Sequence, residues 1–351
     1  MKVIDLRPVA EKLFGAARQT STRRLWHQPA GCLADALTRR RVARRLAPPT
    51  DLLTISVGNL RVGGTGKTPV VMQLALDLAA RGVVGGVITR GYRAPDPAPR
   101  LVHIDDHEAG DEARLLADRL EPVGWGVVQA RDRVQGLEQL RQAIPRAQVV
   151  ILEDAHQTAR AGRHADIVIL DDWRLEDGRM LPVTGATLPF GPYRETERGA
   201  ERAEIWLVED VVPEGCVSAA GVPVMGFRRQ AAVAQETLPD DGSVGLVCGL
   251  ARPEGFEATA TELMARPPAL SVRLGDHARY SPGVLARLER VTRDHGLRAW
   301  LTTAKDHVKL GPLWTSSAPL VVVGLEVAWT TTPTLPDLIE ERLTKFQRVS
   351  G

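Results

Sequence analysis

Leu52-Leu53-Thr54-Ile55-Ser56-Val57-Gly58-Asn59-Leu60-Arg61-Val62-Gly63-Gly64-Thr65-Gly66-Lys67-Thr68-Pro69 is the stretch on which the fold turns. An apolar run of strand length, 52–57, enters a glycine-rich loop, and a helical pattern over 67–81 leaves it. Strand, loop and helix in that order are the context of a phosphate-binding loop. Around Thr65, Gly63, Gly64 and Gly66 let successive backbone N–H groups turn toward an anion without Cβ obstruction. The helix opening near Lys67 aims its positive end at the same anion. Lys67 would reach the β/γ-phosphates of ATP and the Thr68 hydroxyl would ligate Mg²⁺. The general pattern GxxxxGK[ST] has glycine where this chain carries Arg61, so the loop is a variant.

Outward from the loop, the apolar runs LLTISV, VVGGVIT, VVILE, DIVIL and EIWLV read as buried strands. Helical stretches such as 67–81 and 132–143 separate them, which predicts a P-loop NTPase-like parallel sheet with helices on both faces. After about residue 212 a Pro/Gly-containing stretch intervenes and a second set begins with SVGLVCGL. It contains a helix after Pro253, another from Ser281-Pro282 to near Gly296, the strands LRAWLTT and APLVVVGLEV, and a last helix at 335–346. The expected organisation is a basic N-terminal segment 1–48, a P-loop core 49–212, and a smaller α/β domain 213–351.

With 351 residues, 44% hydrophobic and 25% charged, the chain is long enough for two ordinary globular domains. Lys+Arg 45 against Asp+Glu 43 leaves a net charge of +2, and aromatics are only 4%, so no nucleic-acid partner is expected. Cys32, Cys216 and Cys248 lie far apart with no CxxC pair, which excludes a disulfide framework or a cysteine-built zinc site. No run approaches the ~20 apolar residues of a spanning helix. Between 16 and 46, however, eight arginines face the single acid Asp35, interleaved with Leu25, Trp26, Leu33, Leu37, Val42 and Leu46. Such a segment suits either a solvated helix or an anionic membrane surface. A cytoplasmic monomer, soluble or peripheral at a membrane surface, is the expectation.

A P-loop also needs an acid for the metal at the end of another strand, and Glu153-Asp154 after Val149-Val150-Ile151-Leu152 supplies one. Asp171-Asp172 compete for that role by position. Candidate bases for an acceptor hydroxyl are Asp111 and Glu112 in AGDEA, and His277 in GDHARY. Arg90, Tyr92 and Arg133 are candidate contacts to nucleotide or substrate phosphate.

Together these motifs resemble the tetraacyldisaccharide 4'-kinase family, which phosphorylates a lipid A precursor. The likeness runs from about residue 52 to 312 through SVGNLRVGGTGKTP, ITRGY, GDEA, ARDRV, EDAHQ, CGLARPEGF, DHARYSP and LTTAKDHVKL. The resemblance implies ATP- and Mg²⁺-dependent phosphorylation of the 4'-hydroxyl of a tetraacylated glucosamine disaccharide 1-phosphate. It assigns the P-loop roles to Lys67 and Thr68, and catalytic and metal roles to Asp111 and Glu112. It gives His277 the histidine that pairs with that aspartate, and puts the second metal motif on Glu153 and Asp154, with Gln157 matching. The family's DDGFQH reads Glu153-Asp154-Ala155-His156-Gln157-Thr158 here, Ala304 replaces a glutamate in LTTAKD, and the N-terminal helix is richer in arginine than in large apolar residues. Three alternatives follow: a P-loop kinase with another glycolipid or sugar acceptor, a P-loop NTPase switch that would need no Asp–His dyad, and a pseudo-enzyme.

Overall fold

The computed structural model describes residues 1–7, 28–44, 46–62, 66–92, 94–188, 190–212, 216–233, 238–250, 252–276 and 278–350. In chain order, β1 (Lys2–Asp5) comes first, then α1 (Gln28–Val42) and β2 (Leu53–Asn59). The loop after β2 leads to α2 (Lys67–Ala80) and β3 (Gly85–Thr89). Next are β4 (Arg100–Leu101), α3 (Asp111–Leu120), β5 (Gly126–Gln129), α4 (Arg133–Ala143) and β6 (Val149–Glu153). The strand β7 (Ala165–Leu170) precedes the hairpin of β8 (Trp173–Glu176) and β9 (Arg179–Pro182). Then come β10 (Ile205–Glu209), β11 (Val217–Ser218) and β12 (Val224–Val233). The rest is β13 (Val244–Cys248), α5 (Pro253–Met264), β14 (Leu270–Arg273), α6 (Pro282–Asp294) and β15 (Ala299–Thr303). It closes with α7 (Ala304–Leu310), β16 (Leu320–Trp329) and α8 (Leu335–Ser350).

The chain forms two compact units: residues 20–229 with 327–351, and residues 1–19 with 230–326. The expected boundaries are thus displaced. The break falls at 229/230 inside β12 rather than at 212/213, and the last helix belongs with the P-loop rather than with the C-terminal set. Its apolar stripe explains why: Leu335, Ile339 and Leu343 join the core against Leu74 and Leu78 of α2. The expected N-terminal segment 1–48 is also split. Residues 2–5 are a strand paired in parallel with β14, α1 lies in the P-loop unit, and residues 8–27 lie outside those described.

In the P-loop unit the strands run in the order β12-β10-β7-β2-β6-β3-β5-β4. All are parallel except β4, which pairs antiparallel with β5. Leu53, Ile55 and Val57 of β2 face one core with α2, α3 and α8, whereas Ile88, Val128 and Leu152 face another with Leu137 and Leu140 of α4. Strands buried on both faces read as continuous apolar runs, which is why these were legible in the sequence. The other unit has the order β1-β14-β13-β15-β16, all parallel. Its two faces are covered by α5 and by α6 with α7.

Two features of β2 position the site. It lies between β6 and β7, and Val57 is in register with Glu153, so the phosphate loop starts beside the carboxylates that end β6. Gly58 is the point of closest approach: a Cβ there would lie 2.6 Å from His156 Cβ. His156 is fully buried, its Nε2 donating to Gly199 O at 2.8 Å and its Nδ1 3.6 Å from Asp166. Arg163 Nε is 2.6 Å from the same carboxylate. Burial alone would raise Asp166, but His156 and Arg163 hold it well below the usual carboxylate range. Gly58→Ala must displace this ion-paired segment, so it is expected to destabilise the unit by about 1–3 kcal/mol, checked by urea unfolding.

Candidate active site

Gly66, at φ 73° and ψ 25°, is the N-cap of α2 and supplies no side-chain cap. The left-handed backbone favours glycine, and the first-turn N–H groups are left for an anion. Lys67 opens the helix. Its Nζ donates to Asn59 Oδ1 at 3.1 Å and lies 3.5 Å from Asp154 Oδ1. One residue on, Thr68 Oγ1 donates to Glu153 Oε1 at 2.6 Å. The lysine, the threonine and both strand-end acids therefore meet as the sequence predicted. Gly63, Gly64 and Thr65 lie outside the described residues.

The two neighbouring carboxylates have opposite electrostatics. Burial first, and then the nearby Glu112, push Glu153 up to about 7, against Thr68 and Lys67. Burial would raise Asp154 as well, but Lys67 and Arg194 hold it well below the usual range. Arg194 grips Asp154 with two parallel bonds, Nη1 to Oδ1 at 2.7 Å and Nη2 to Oδ2 at 2.9 Å. Asp154 takes φ 54°, a left-handed conformation that aspartate adopts more readily than most residues other than glycine. Arg194 is itself fixed by its N–H donating to Leu60 O at 2.7 Å.

Asp111 and Glu112 occupy the first turn of α3, where carboxylates complement the helix dipole. Gly110 ahead of them donates to buried Gln129 Oε1 at 2.7 Å. His277 lies outside the described residues. Arg90 and Tyr92 follow β3 as exposed residues.

Arg133 needs correction as a substrate contact. It is 2% exposed, and its guanidinium donates to Ala130 O at 2.5 Å and Glu153 O at 2.6 Å. Burial lowers it to about 10 despite the two nearby acids. It braces the end of β6 from beneath, and no face is left for a phosphate. Gln157 is also committed: its Nε2 donates to Asn59 O at 2.9 Å and its Oε1 accepts from Arg194 at 3.1 Å. Of the competing acids, Asp172 accepts from Tyr193 OH at 2.7 Å and lies 3.9 Å from Arg61, whose guanidinium sits 5.7 Å from the Tyr193 ring centre. Asp171 accepts from Asn59 Nδ2 at 3.4 Å. These support the far side of the loop, while Glu153 takes the threonine. Arg194 and Asn59 were missed as site residues. The signal for Arg194 was a charged pair in the Gly-Pro loop GPYRE (191–195), too weak to read before the fold brought it to Asp154.

Residues 24–344 match the family model described as tetraacyldisaccharide-1-P 4'-kinase. The chain belongs to the tetraacyldisaccharide-1-P 4'-kinase family. Among relatives, the tetraacyldisaccharide 4'-kinase of Jannaschia sp. is 33% identical over 328 residues, covering 86% of this chain and 93% of that protein. The corresponding protein of Rhodospirillum rubrum is 32% identical over 315 residues, covering 86% and 89%. The crystal structure of LpxK from Aquifex aeolicus in complex with ATP matches with a TM-score of 0.65 at 23% identity, over 90% of this chain and 98% of that one. That match bears on the fold alone.

No group of three or more His, Cys, Asp and Glu side chains able to hold a metal occurs among the described residues. Mg²⁺ is commonly bound by one or two carboxylates together with substrate phosphates. The donor chemistry fits: Thr68 Oγ1 and Glu153 Oε1 are adjacent, and buried Glu153 Oε2 has no hydrogen-bond partner among the described residues. A charged Glu153 costs nothing below its ordinary 4.5, where it is protonated in both states, and the full penalty is reached above about 7. In metal-free buffer Glu153→Gln is therefore expected to stabilise the family member at pH 8, on the order of 2–3 kcal/mol, and hardly at all at pH 4.5. Chemical denaturation at the two pH values is the measurement.

Proposed function

We propose that the chain transfers the γ-phosphoryl group of ATP to the 4'-hydroxyl of a tetraacylated glucosamine disaccharide 1-phosphate, a step of lipid A biosynthesis, with Mg²⁺ as cofactor. The observation that carries this is the junction of α2 with β6, where Thr68 bonds Glu153 and Lys67 faces Asp154. Thr68 and Glu153 would hold the ion, supported by Asp154 or Glu112; when bound it neutralises charge on the β/γ oxygens. Lys67 exchanges Asn59 and Asp154 for phosphate oxygens, while Arg194 keeps Asp154 in place. The family resemblance assigns the acceptor proton to His277 with Asp111 as its charge partner, and exposed Arg90 and Tyr92 are available to the nucleotide or the substrate phosphate. Few groups are needed, because phosphoryl transfer rests on placement and charge neutralisation.

The test is incubation of the purified chain with γ-labelled ATP, Mg²⁺ and the tetraacyl disaccharide 1-phosphate. Label in the lipid supports the reading. Label released only as inorganic phosphate, at a rate indifferent to the lipid, would sink it in favour of an NTPase switch. Label in a different glycolipid alone would move the acceptor.

An acylated acceptor resides in a bilayer, and α1 offers a means of reaching it. Leu37 and Arg40 of α1 and Arg44 and Leu46 beyond its end are exposed, while Asp35 of the helix is buried and accepts from Thr196 N at 3.0 Å, two residues from Arg194. No helix among the described residues is long and apolar enough to cross a membrane. Peripheral docking at an anionic cytoplasmic surface fits these side chains. Arg40→Gln with Arg44→Gln is expected to weaken partition onto anionic vesicles about 10–30-fold, from about 1 kcal/mol per charge. ATP affinity should be unchanged, with vesicle co-sedimentation as the readout.

A further inference from the structure

Gly66 has a neighbour that the loop motif does not foretell. A Cβ on it would lie 1.7 Å from Arg229 Nη1 and 2.6 Å from Arg229 Cζ, so the guanidinium rests directly against the glycine that caps α2. Arg229 arrives from β12, whose Phe227 is in register with Glu209 of β10. Glu209 takes the other edge of the guanidinium: Nε donates to Oε1 at 2.6 Å and Nη2 to Oε2. The Phe227 ring lies 5.9 Å beneath the same group. The side chain is thus oriented by a carboxylate and an aromatic face, with Nη1 turned to the loop and a quarter of its surface open to solvent.

A guanidinium in that place repels the positive end of α2 and adds to the charge of Lys67, which opens the same helix. A single carboxylate on its far edge offsets this only in part. An oligophosphate entering the loop offsets these repulsions, since it is attracted to the helix end, to Lys67 and to Nη1 together. Guanidinium is also the side-chain group best matched to phosphate oxygens, in geometry and in its permanent charge.

We propose that Arg229 is a second phosphate-binding cation of this loop, donating through Nη1 to a β- or γ-phosphate oxygen of the nucleoside triphosphate, with Glu209 as its positioning residue. The assignment rests on the nucleotide reading above and adds to it a ligand from β12, three strands away from β2 in the sheet order.

The test is equilibrium binding of a non-hydrolysable ATP analogue and of AMP to the full chain, with lipid phosphorylation measured alongside. Arg229→Ala and the more nearly isosteric Arg229→Gln are expected to weaken analogue binding at least about 10-fold and to leave AMP binding within about twofold, because AMP lacks the contacted groups. Arg229→Lys should recover part of the loss, and Glu209→Gln should weaken the analogue by a few fold with the nucleotide-free melting temperature little changed. Analogue affinity and turnover within twofold of the unmodified chain in both Arg229→Ala and Arg229→Gln would overturn the assignment, as would equal losses for AMP and the analogue. If the unmodified chain binds no analogue, the nucleotide reading itself fails, and this assignment fails with it.

Discussion

Lys67→Ala is expected to lower kcat/KM for lipid phosphorylation about 10²–10³-fold, the usual effect of removing one charged donor from a transition state. The fold should survive. Lys67 stands in the first turn of α2, where its side chain contacts Asn59 and Asp154 and contributes nothing to the apolar core. Asp154 retains both bonds from Arg194, so no buried carboxylate is stranded. Melting temperature and far-UV circular dichroism of the variant should therefore lie close to those of the parent. A variant that turns over normally would show that the triphosphate is held elsewhere, and one that unfolds would show that the lysine is structural.

Asp306→Ala is expected to cost stability rather than chemistry alone, roughly 3–6 kcal/mol in the unit containing β13 to β15. Asp306 is fully buried and gathers three motifs that lie far apart in the chain. It accepts from Gly249 N at 3.0 Å, from Tyr280 OH at 2.8 Å, and from Thr303 Oγ1 at 2.8 Å. Its own N–H donates to Thr303 Oγ1 at 3.1 Å, a reciprocal cap at the start of α7. Alanine removes the acceptor of two buried donors, on Gly249 and Tyr280, and of the half-buried Thr303 hydroxyl. The stretches that converge here, CGLARPEGF, DHARYSP and LTTAKD, are those that carried the resemblance at long range, and DHARYSP bears His277. Urea unfolding followed by fluorescence is well suited to the test, because buried Trp300 and its partner Trp314 lie in the same unit with ring centres 6.2 Å apart. Asp306→Asn should recover only part of the loss, since an amide accepts at one atom where the carboxylate accepts at two. An alanine variant as stable as the parent would refute the convergence.

Much of the site was legible before folding. Lys67, Thr68, Glu153 and Asp154 lie at the ends of apolar runs whose partners could be guessed, because parallel strands buried on both faces announce themselves by uninterrupted hydrophobicity. Elements without such a signal were not read. The helix α3 begins on Asp111 itself, with two acids and three later charges that disguise its apolar stripe of Ala113, Leu116, Ala117 and Leu120. The strand β1 is four half-exposed residues recognisable only once β14 is beside it. Arg133, read as a contact to nucleotide or substrate phosphate, is a buried brace, since a guanidinium's partners can be main-chain carbonyls that sequence does not single out.

The amino-acid sequence by itself determined that a phosphate loop joins a buried strand to a helix and that acids end a neighbouring strand, because local periodicity and glycine spacing act over a few residues. Only the tertiary structure decided which distant groups meet: in the P-loop unit Arg194 on Asp154, Arg229 on Gly66 and α8 on α2, and in the other unit Asp306 on Gly249 and Tyr280. These contacts depend on strand order and register, which put residues remote in sequence within bonding distance, and neither quantity is written in any one segment of the chain.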